Sequence, residues 1–345
     1  MGSFTKRLRT RTSKYFYDCE LRRAGILESL HATPSDLDNP IHPIFSYKNF
    51  SQLPAPTYKT LALSLRFASL LITEIHCLEW WVFILYGRHL PIQTANKQRS
   101  ILLPIHPITT AHLSATRDYL LGMADRINFT FNAKSRAYGI QFRSKAGRNL
   151  QLVQLSGKFQ GFIEDGGFAS SSLSQQLRFS FFFALNIVHE LSHAVFDTRA
   201  DSMLSKEPYF AHDVEDGLLY REIGDSWERF VFGCKIQPLD GDKGCPEECG
   251  YGLHMFTPSA HGEDLIFGAV PMEYVSALMS KRGWEAVAER GIRMLRCPKA
   301  TICALDIVVK SGGTGGSKRT CSSSDINHQT SLKPDHARHL QKITP

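Results

Sequence analysis

Apolar residues crowd a stretch early in the chain, TLALSLRFASLLITEIHCLEWWVFILYG at positions 60 to 87, interrupted by Arg66, Glu74, His76 and Glu79. A membrane-spanning helix needs about 20 apolar residues with few charges. The four ionisable positions therefore predict a buried core helix and no membrane span. A loop rich in proline and polar residues is expected near 91 to 107, and helical spacing returns over 109 to 125. The period then changes to two. Ile127, Phe129 and Phe131 share one face, as do Tyr138, Ile140 and Phe142, and LQLVQL continues the alternation. Alternation of this kind reads as a small antiparallel sheet. GFIEDGGF closes it, with Gly166-Gly167 as the breaker.

The segment SSLSQQLRFSFFFALNIVHELSHAVF, 171 to 196, contains neither proline nor glycine. Ser172 followed by Gln175 resembles a capping box. From Phe179 to Leu185 the run is apolar almost all round, which places such a helix inside a protein. A less regular stretch, 197 to 217, leads to a second helical pattern over 218 to 233. Residues 234 to 270 read as loop, and a helix opens at Pro271, which suits a first helical turn. Prolines 34, 40 and 43 keep the beginning of the chain irregular, and low complexity from Ser311 predicts disorder to the end. The reading is an α+β protein. It has an irregular basic arm (1–55), a helical region (56–125), a core (126–295) and a tail (311–345).

Composition adds little. The chain of 345 residues is 43% hydrophobic, ample for one sizeable core. Its net charge of +7 is concentrated at the start, where residues 1 to 24 hold seven Lys or Arg against two acids. A basic arm can touch nucleic acid. No helix-turn-helix, zinc-finger or RNA-binding signature accompanies it, so a solvated tail is the expectation and nucleic acid is not. No apolar secretory segment precedes a cleavage site. The expected location is intracellular, cytoplasmic or nuclear. A mitochondrial presequence stays open, because the start is rich in Arg, Ser and Thr and free of acids up to Asp18. The eight cysteines fit no zinc ribbon and are expected as thiols.

The chemistry lies in NIVHELSHAV, where His189, Glu190 and His193 stand as H-E-x-x-H. On an α-helix, positions i and i+4 lie one turn apart on the same side, so both imidazoles can reach one Zn²⁺. Glu190 lies about 100° round and can reach a metal-bound water as general base without being a ligand. A catalytic zinc normally has three protein ligands. Phe196 and Arg199 stand where an extended motif would place glycine and a third histidine, so that turn does not supply it. The downstream helical pattern offers Glu222, Asp225 and Glu228. Glu222 is preferred as ligand and Glu228 is its nearest rival. Asp225 or Glu228 could instead orient a histidine from behind. Gly224 and Ser226 are small enough to let two helices approach closely. His212, Asp213, Glu215 and Asp216 are weaker candidates. Tyr220, Tyr251, His254 and His261 are possible oxyanion donors, with nothing to select among them.

HELSHAV followed by EIGDSWE resembles the zincin metallopeptidases of the gluzincin kind, in which an HExxH helix is completed by a Glu on a later helix. The closer likeness is to HExxH proteins of filamentous fungi that read HElxHA, then ElGxxxE and FGG, then a YGL-like segment. Here these are His189 to Ala194, Glu222 to Glu228, Phe232-Gly233 and Tyr251-Gly252-Leu253. Cys234 replaces a second glycine and Ile223 stands where leucine is usual. The likeness covers residues 180 to 255. It implies a zincin-like core, with a small mixed sheet, the HExxH helix and a second ligand helix. It also implies a zinc-dependent metallopeptidase acting on a peptide or protein substrate, with an edge strand that pairs with extended peptide. The alternative is a non-catalytic zinc-binding or structural protein that keeps the fold, with any nucleic-acid association confined to the basic arm.

Overall fold

The computed structural model describes residues 29, 32–94, 97–135, 137–143, 150–199, 208–210, 222–238, 253–258, 264–298 and 302–307. Its fold is mixed α and β. The elements run α1 (Ala55–Thr60), α2 (Ala62–Thr73), α3 (Ile75–Tyr86), β1 (Arg88–Thr94), β2 (Lys97–Leu103), α4 (Thr110–Met123), β3 (Ile127–Asn132), β4 (Gly139–Arg143), β5 (Gln151–Ser156), α5 (Gly157–Glu164), α6 (Gly167–Ser170) and α7 (Leu173–Arg199). There follow β6 (Tyr209–Phe210), α8 (Ile223–Phe232), β7 (Lys235–Pro238), β8 (Leu253–Pro258), β9 (Asp264–Ala269), α9 (Met272–Leu278), α10 (Lys281–Arg290) and β10 (Ile302–Ile307).

Helix α7, 27 residues long, is the axis of the core. Its start is fixed as the sequence implies: Gln175 N–H donates to Ser172 Oγ (3.2 Å) and Ser172 N–H donates to Gln175 Oε1 (3.1 Å). Because its apolar run has no polar side, neighbours cover it all round. Phe181 meets Phe67 of α2 at 5.2 Å between ring centroids and Phe232 of α8 at 6.0 Å. Phe183 meets Phe159 of α5 at 5.2 Å and lies stacked on Phe131 of β3 at 6.3 Å. The helix is long and apolar enough to cross a membrane, but 83% of its most apolar window is buried against the rest of the chain.

The apolar stretch at 60 to 87 is buried, as expected, but forms two helices instead of one. α2 and α3 are bent by 66° at Glu74. The Glu74 backbone is extended, and its carboxylate accepts from His76 N–H (2.7 Å) and Cys77 N–H (3.3 Å), capping α3. A carboxylate at a helix N-terminus satisfies donors that the helix leaves unpaired. At the far end of α3, the Arg199 guanidinium donates to the carbonyls of Ile84 and Gly87, so the last residue of α7 closes this helix.

The expected loop at 91 to 107 is instead an antiparallel hairpin, with Arg88 opposite Leu103 and Thr94 opposite Lys97. β6 adds to β2 in parallel. Pro91 disguised the first strand. It is tolerated because β1 lies at the sheet edge, where a missing N–H breaks no ladder. The second sheet has the order β3-β5-β4. β4 and β5 are antiparallel, but β3 and β5 are parallel, so the sheet is mixed. Alternation showed the buried face, Ile127, Phe129, Val153 and Leu155, and carried no information on strand direction. A third sheet has the order β10-β9-β8-β7, and its strands β7, β8 and β9 occupy part of the stretch expected as loop at 234 to 270. The helix expected from Pro271 divides into α9 and α10. Pro271 is the N-cap of the first, and Ser280 Oγ caps the second through Gly283 N–H (3.1 Å).

Residues 32 to 54 lack regular structure apart from two short 3-10 turns, yet they belong to the core. Leu37, Ile44, Phe45, Phe50 and Leu53 are buried. Phe50 bridges and stacks on Phe129 of β3, with ring centroids at 4.9 Å. Asn49 holds the segment in place by donating to the carbonyls of Pro43 (3.3 Å), Ile44 (2.8 Å) and Ala124 (2.9 Å). The basic residues 1 to 24 and the tail from 311 lie outside the described residues.

Asn49→Ala would leave buried carbonyls without their donor. It should destabilise the protein by about 1–3 kcal/mol, read as a lower urea midpoint at unchanged slope. An unaltered midpoint would show that the segment does not depend on this side chain.

Candidate metal centre

The polar end of α7 faces α8. His189 and His193, four positions apart, stand with ring centroids 5.5 Å from one another. Glu222 reaches both. Its Oε1 lies 2.5 Å from His193 Nε2 and 3.4 Å from His189 Nε2. The sequence pattern placed Glu222 within a helix beginning at 218. In the structure α8 begins at Ile223 and Glu222 is its N-cap, with extended backbone (φ −122°, ψ 127°). The Glu222 carboxylate accepts from Gly224 N–H (3.0 Å) and from Asp225 N–H. Two backbone donors at a helix N-terminus therefore orient the carboxylate that the two histidines meet.

Glu228 has a different place. Its Oε1 accepts from His189 Nδ1 (2.8 Å), on the side of the ring away from the Glu222 contact, and its Oε2 accepts from Ile236 N–H of β7 (2.7 Å). This contact fixes the ring's orientation and keeps a proton on Nδ1, so a metal taken up at Nε2 would displace only the proton on that side. Asp225 touches neither histidine. It pairs with the Lys235 ammonium of β7.

Gly224 makes the approach of the helices possible. A Cβ there would lie 2.2 Å from His189 Nε2, inside the ring's own space. Ser226 is fully buried in the same helix. Glu190 is also buried, at 6% exposure, about 100° round α7 from His189. Gly139 of β4 lies against it, since a Cβ at that position would stand 2.4 Å from Glu190 Cγ. The Asn186 amide donates to Tyr138 O (3.2 Å) and ties the start of β4 to α7 just before the motif.

These placements perturb the acids in opposite directions. Burial raises the Glu190 carboxyl above its usual range, against the pull of His189 and His193. Burial would raise Glu222 too, but hydrogen bonds and charge from His189 and His193 outweigh it and hold that carboxyl well below the usual range. For His189, burial disfavours the charged ring, and Glu222 and Glu228 more than reverse this. Asp225 is pushed up to about 6 by burial and by the Glu222 charge, with Lys235 opposing.

His189, His193 and Glu222 form a group that could hold a metal ion, since one ligand atom from each lies within 4.8 Å of the others. Two imidazole nitrogens and a carboxylate oxygen are a donor set of the kind found at three-ligand sites. Bonds of about 2.0–2.2 Å in tetrahedral geometry separate ligand atoms by about 3.3 Å. The His189–Glu222 spacing of 3.4 Å meets that directly. The His193–Glu222 spacing of 2.5 Å is a hydrogen bond sharing one proton, which a divalent ion taking both atoms would displace. His189, Asp225 and Glu228 form a second group within the same reach, but Lys235 and the Ile236 N–H already engage its carboxylates.

Of the remaining expected residues, His254 lies on β8 opposite Gln237 of β7 and Ala269 of β9. Tyr220, Tyr251, His261, His212, Asp213, Glu215 and Asp216 lie outside the described residues. Sequence reasoning missed Lys235, Gly139 and Asn186. Lys235 carries no periodic or motif signal; the left-handed turn at Gly233 ends α8 and leads directly into β7, which folds back so that Lys235 meets Asp225. Compared with family models, with curated proteins and with solved structures, the chain finds no match.

Glu222→Ala should abolish metal uptake, whereas Glu228→Ala should weaken it about 10–100-fold by releasing the His189 ring. Metal per chain and chelator competition separate the two, and the reverse order would exchange their roles. Gly224→Ala should also lose metal, because its methyl occupies the place of the His189 ring; full retention would contradict the packing described here.

Proposed function

We propose that this chain is a zinc-dependent metallopeptidase. The observation that carries the reading is the convergence of His189, His193 and Glu222 on one point, with a buried Glu190 on the same helix turn. His189, His193 and Glu222 would hold zinc. Bound zinc would supply Lewis acidity, polarising a carbonyl and making a water a stronger acid. Glu190 would accept the proton of the attacking water and return it to the leaving amine. Its burial favours the protonated form midway through that cycle and so supports a carboxylate that both takes and gives a proton.

The placement of β4 supports a peptide as the substrate. Among the described residues β4 pairs only with β5, so its other edge offers backbone donors and acceptors. The strand begins at Gly139, which lies against Glu190. An extended peptide adding to this edge would pass beside the general base. Ile140 and Phe142 of the same strand are 37% and 44% exposed, so apolar substrate side chains would find apolar surface on that face. Tyr251 and His254 remain candidates for the donor to the oxyanion.

Glu190→Gln should keep its zinc and lose hydrolysis of quenched-fluorescent peptides by about 10²–10⁴-fold. His193→Ala should lose both. Unchanged hydrolysis in Glu190→Gln would sink the mechanism. A zinc-loaded wild type that cleaves no member of a diverse peptide library would favour the non-catalytic zinc-binding alternative.

A further inference from the structure

Two consecutive residues of β7 hold the two inward acids of α8. The Ile236 N–H donates to Glu228, which fixes the back of His189. The Lys235 ammonium pairs with Asp225, whose own N–H donates to the Glu222 carboxylate. Asp225 thus joins a cation on one strand to the backbone that orients a metal ligand. Both partners are partly screened from water, with side chains 30% and 31% exposed, so the pair is weakened less by solvent than a fully exposed one. Glu190, Glu222, Asp225 and Glu228 would repel one another in this confined space. Lys235 feels the charge of Asp225, Glu228 and Glu222, and its own charge favours ionised Glu190. Burial alone would lower the lysine, yet these carboxylates raise it, so the ammonium is retained.

We propose that Lys235 is a positioning residue for the metal ligand Glu222, acting through Asp225 to hold the first turn of α8 against the histidines of α7. The inference rests on the metal-centre reading and is independent of any peptidase activity. Two effects of the lysine oppose each other, and this makes the proposal testable by sign. As a nearby positive charge it repels a divalent ion, so if it acted only as a charge its removal would tighten binding. As a positioning residue it keeps the carboxylate in place, and its removal weakens binding, as loss of outer partners of metal ligands does.

The experiment measures the zinc dissociation constant of the full chain by competition with a chromophoric chelator. The variants are Lys235→Met, Lys235→Gln, Lys235→Arg and the double change Lys235→Met with Asp225→Asn, with folding checked by circular dichroism. The expected result is zinc binding about 10–100-fold weaker in Lys235→Met and Lys235→Gln. Lys235→Arg should stay close to wild type, and the double variant should be no weaker than Lys235→Met. Either neutral variant decides the matter if the other fails to fold. Unchanged or tighter binding in a folded neutral variant overturns the proposal while leaving the metal centre standing. A wild type that takes up no zinc overturns the metal centre itself, and the proposal with it.

Discussion

The site depends on one carboxylate placed between a helix N-terminus and two imidazoles. Glu222 accepts two N–H groups at the start of α8 and meets His189 and His193 at the end of α7. Neither helix can move far without breaking one half of this arrangement. A carboxylate held by both a helix N-terminus and imidazoles is strongly favoured as an anion. The same interaction resolves a packing problem, because α7 carries its two histidines into an interior that would otherwise disfavour their charge.

The rest of the molecule secures that approach. The Phe-rich half of α7 is fixed by aromatic contacts with α2, α5 and α8. Arg199 ties its end to α3, and Asn186 ties its middle to the strand that passes Glu190. Gly224 and Gly139 are the two points where a side chain would fill the space the site needs. Close packing leaves little freedom there, since interiors do not absorb an added methyl without displacement.

Glu222 and Glu228, the preferred ligand and its nearest rival in sequence, are separated by geometry. One meets the Nε2 atoms of the histidines and the other the Nδ1 atom of His189. A carboxylate at Nδ1 sets the tautomer; a carboxylate at Nε2 completes a ligand set. Lys235 belongs to the same logic, as the counter-charge that lets several acids share one small volume.

Some of this was legible along the chain. The spacing of His189 and His193, the cap formed by Ser172 and Gln175, and the apolar run of α7 are local properties, fixed by helix periodicity and nearest-neighbour hydrogen bonds. Pairing over longer separations was not legible. Pro91 hid an edge strand, the short strands β7 to β10 gave too little pattern, and alternation could not tell β3 parallel from β3 antiparallel to β5. The sequence alone determined which residues carry metal-binding chemistry and that two of them share a helix face. Tertiary structure alone decided that Glu222 meets both histidines, that Glu228 stands behind His189, and that Lys235 reaches Asp225. The physical reason is that local periodicity places side chains on one element, whereas distances between elements follow from how their surfaces pack.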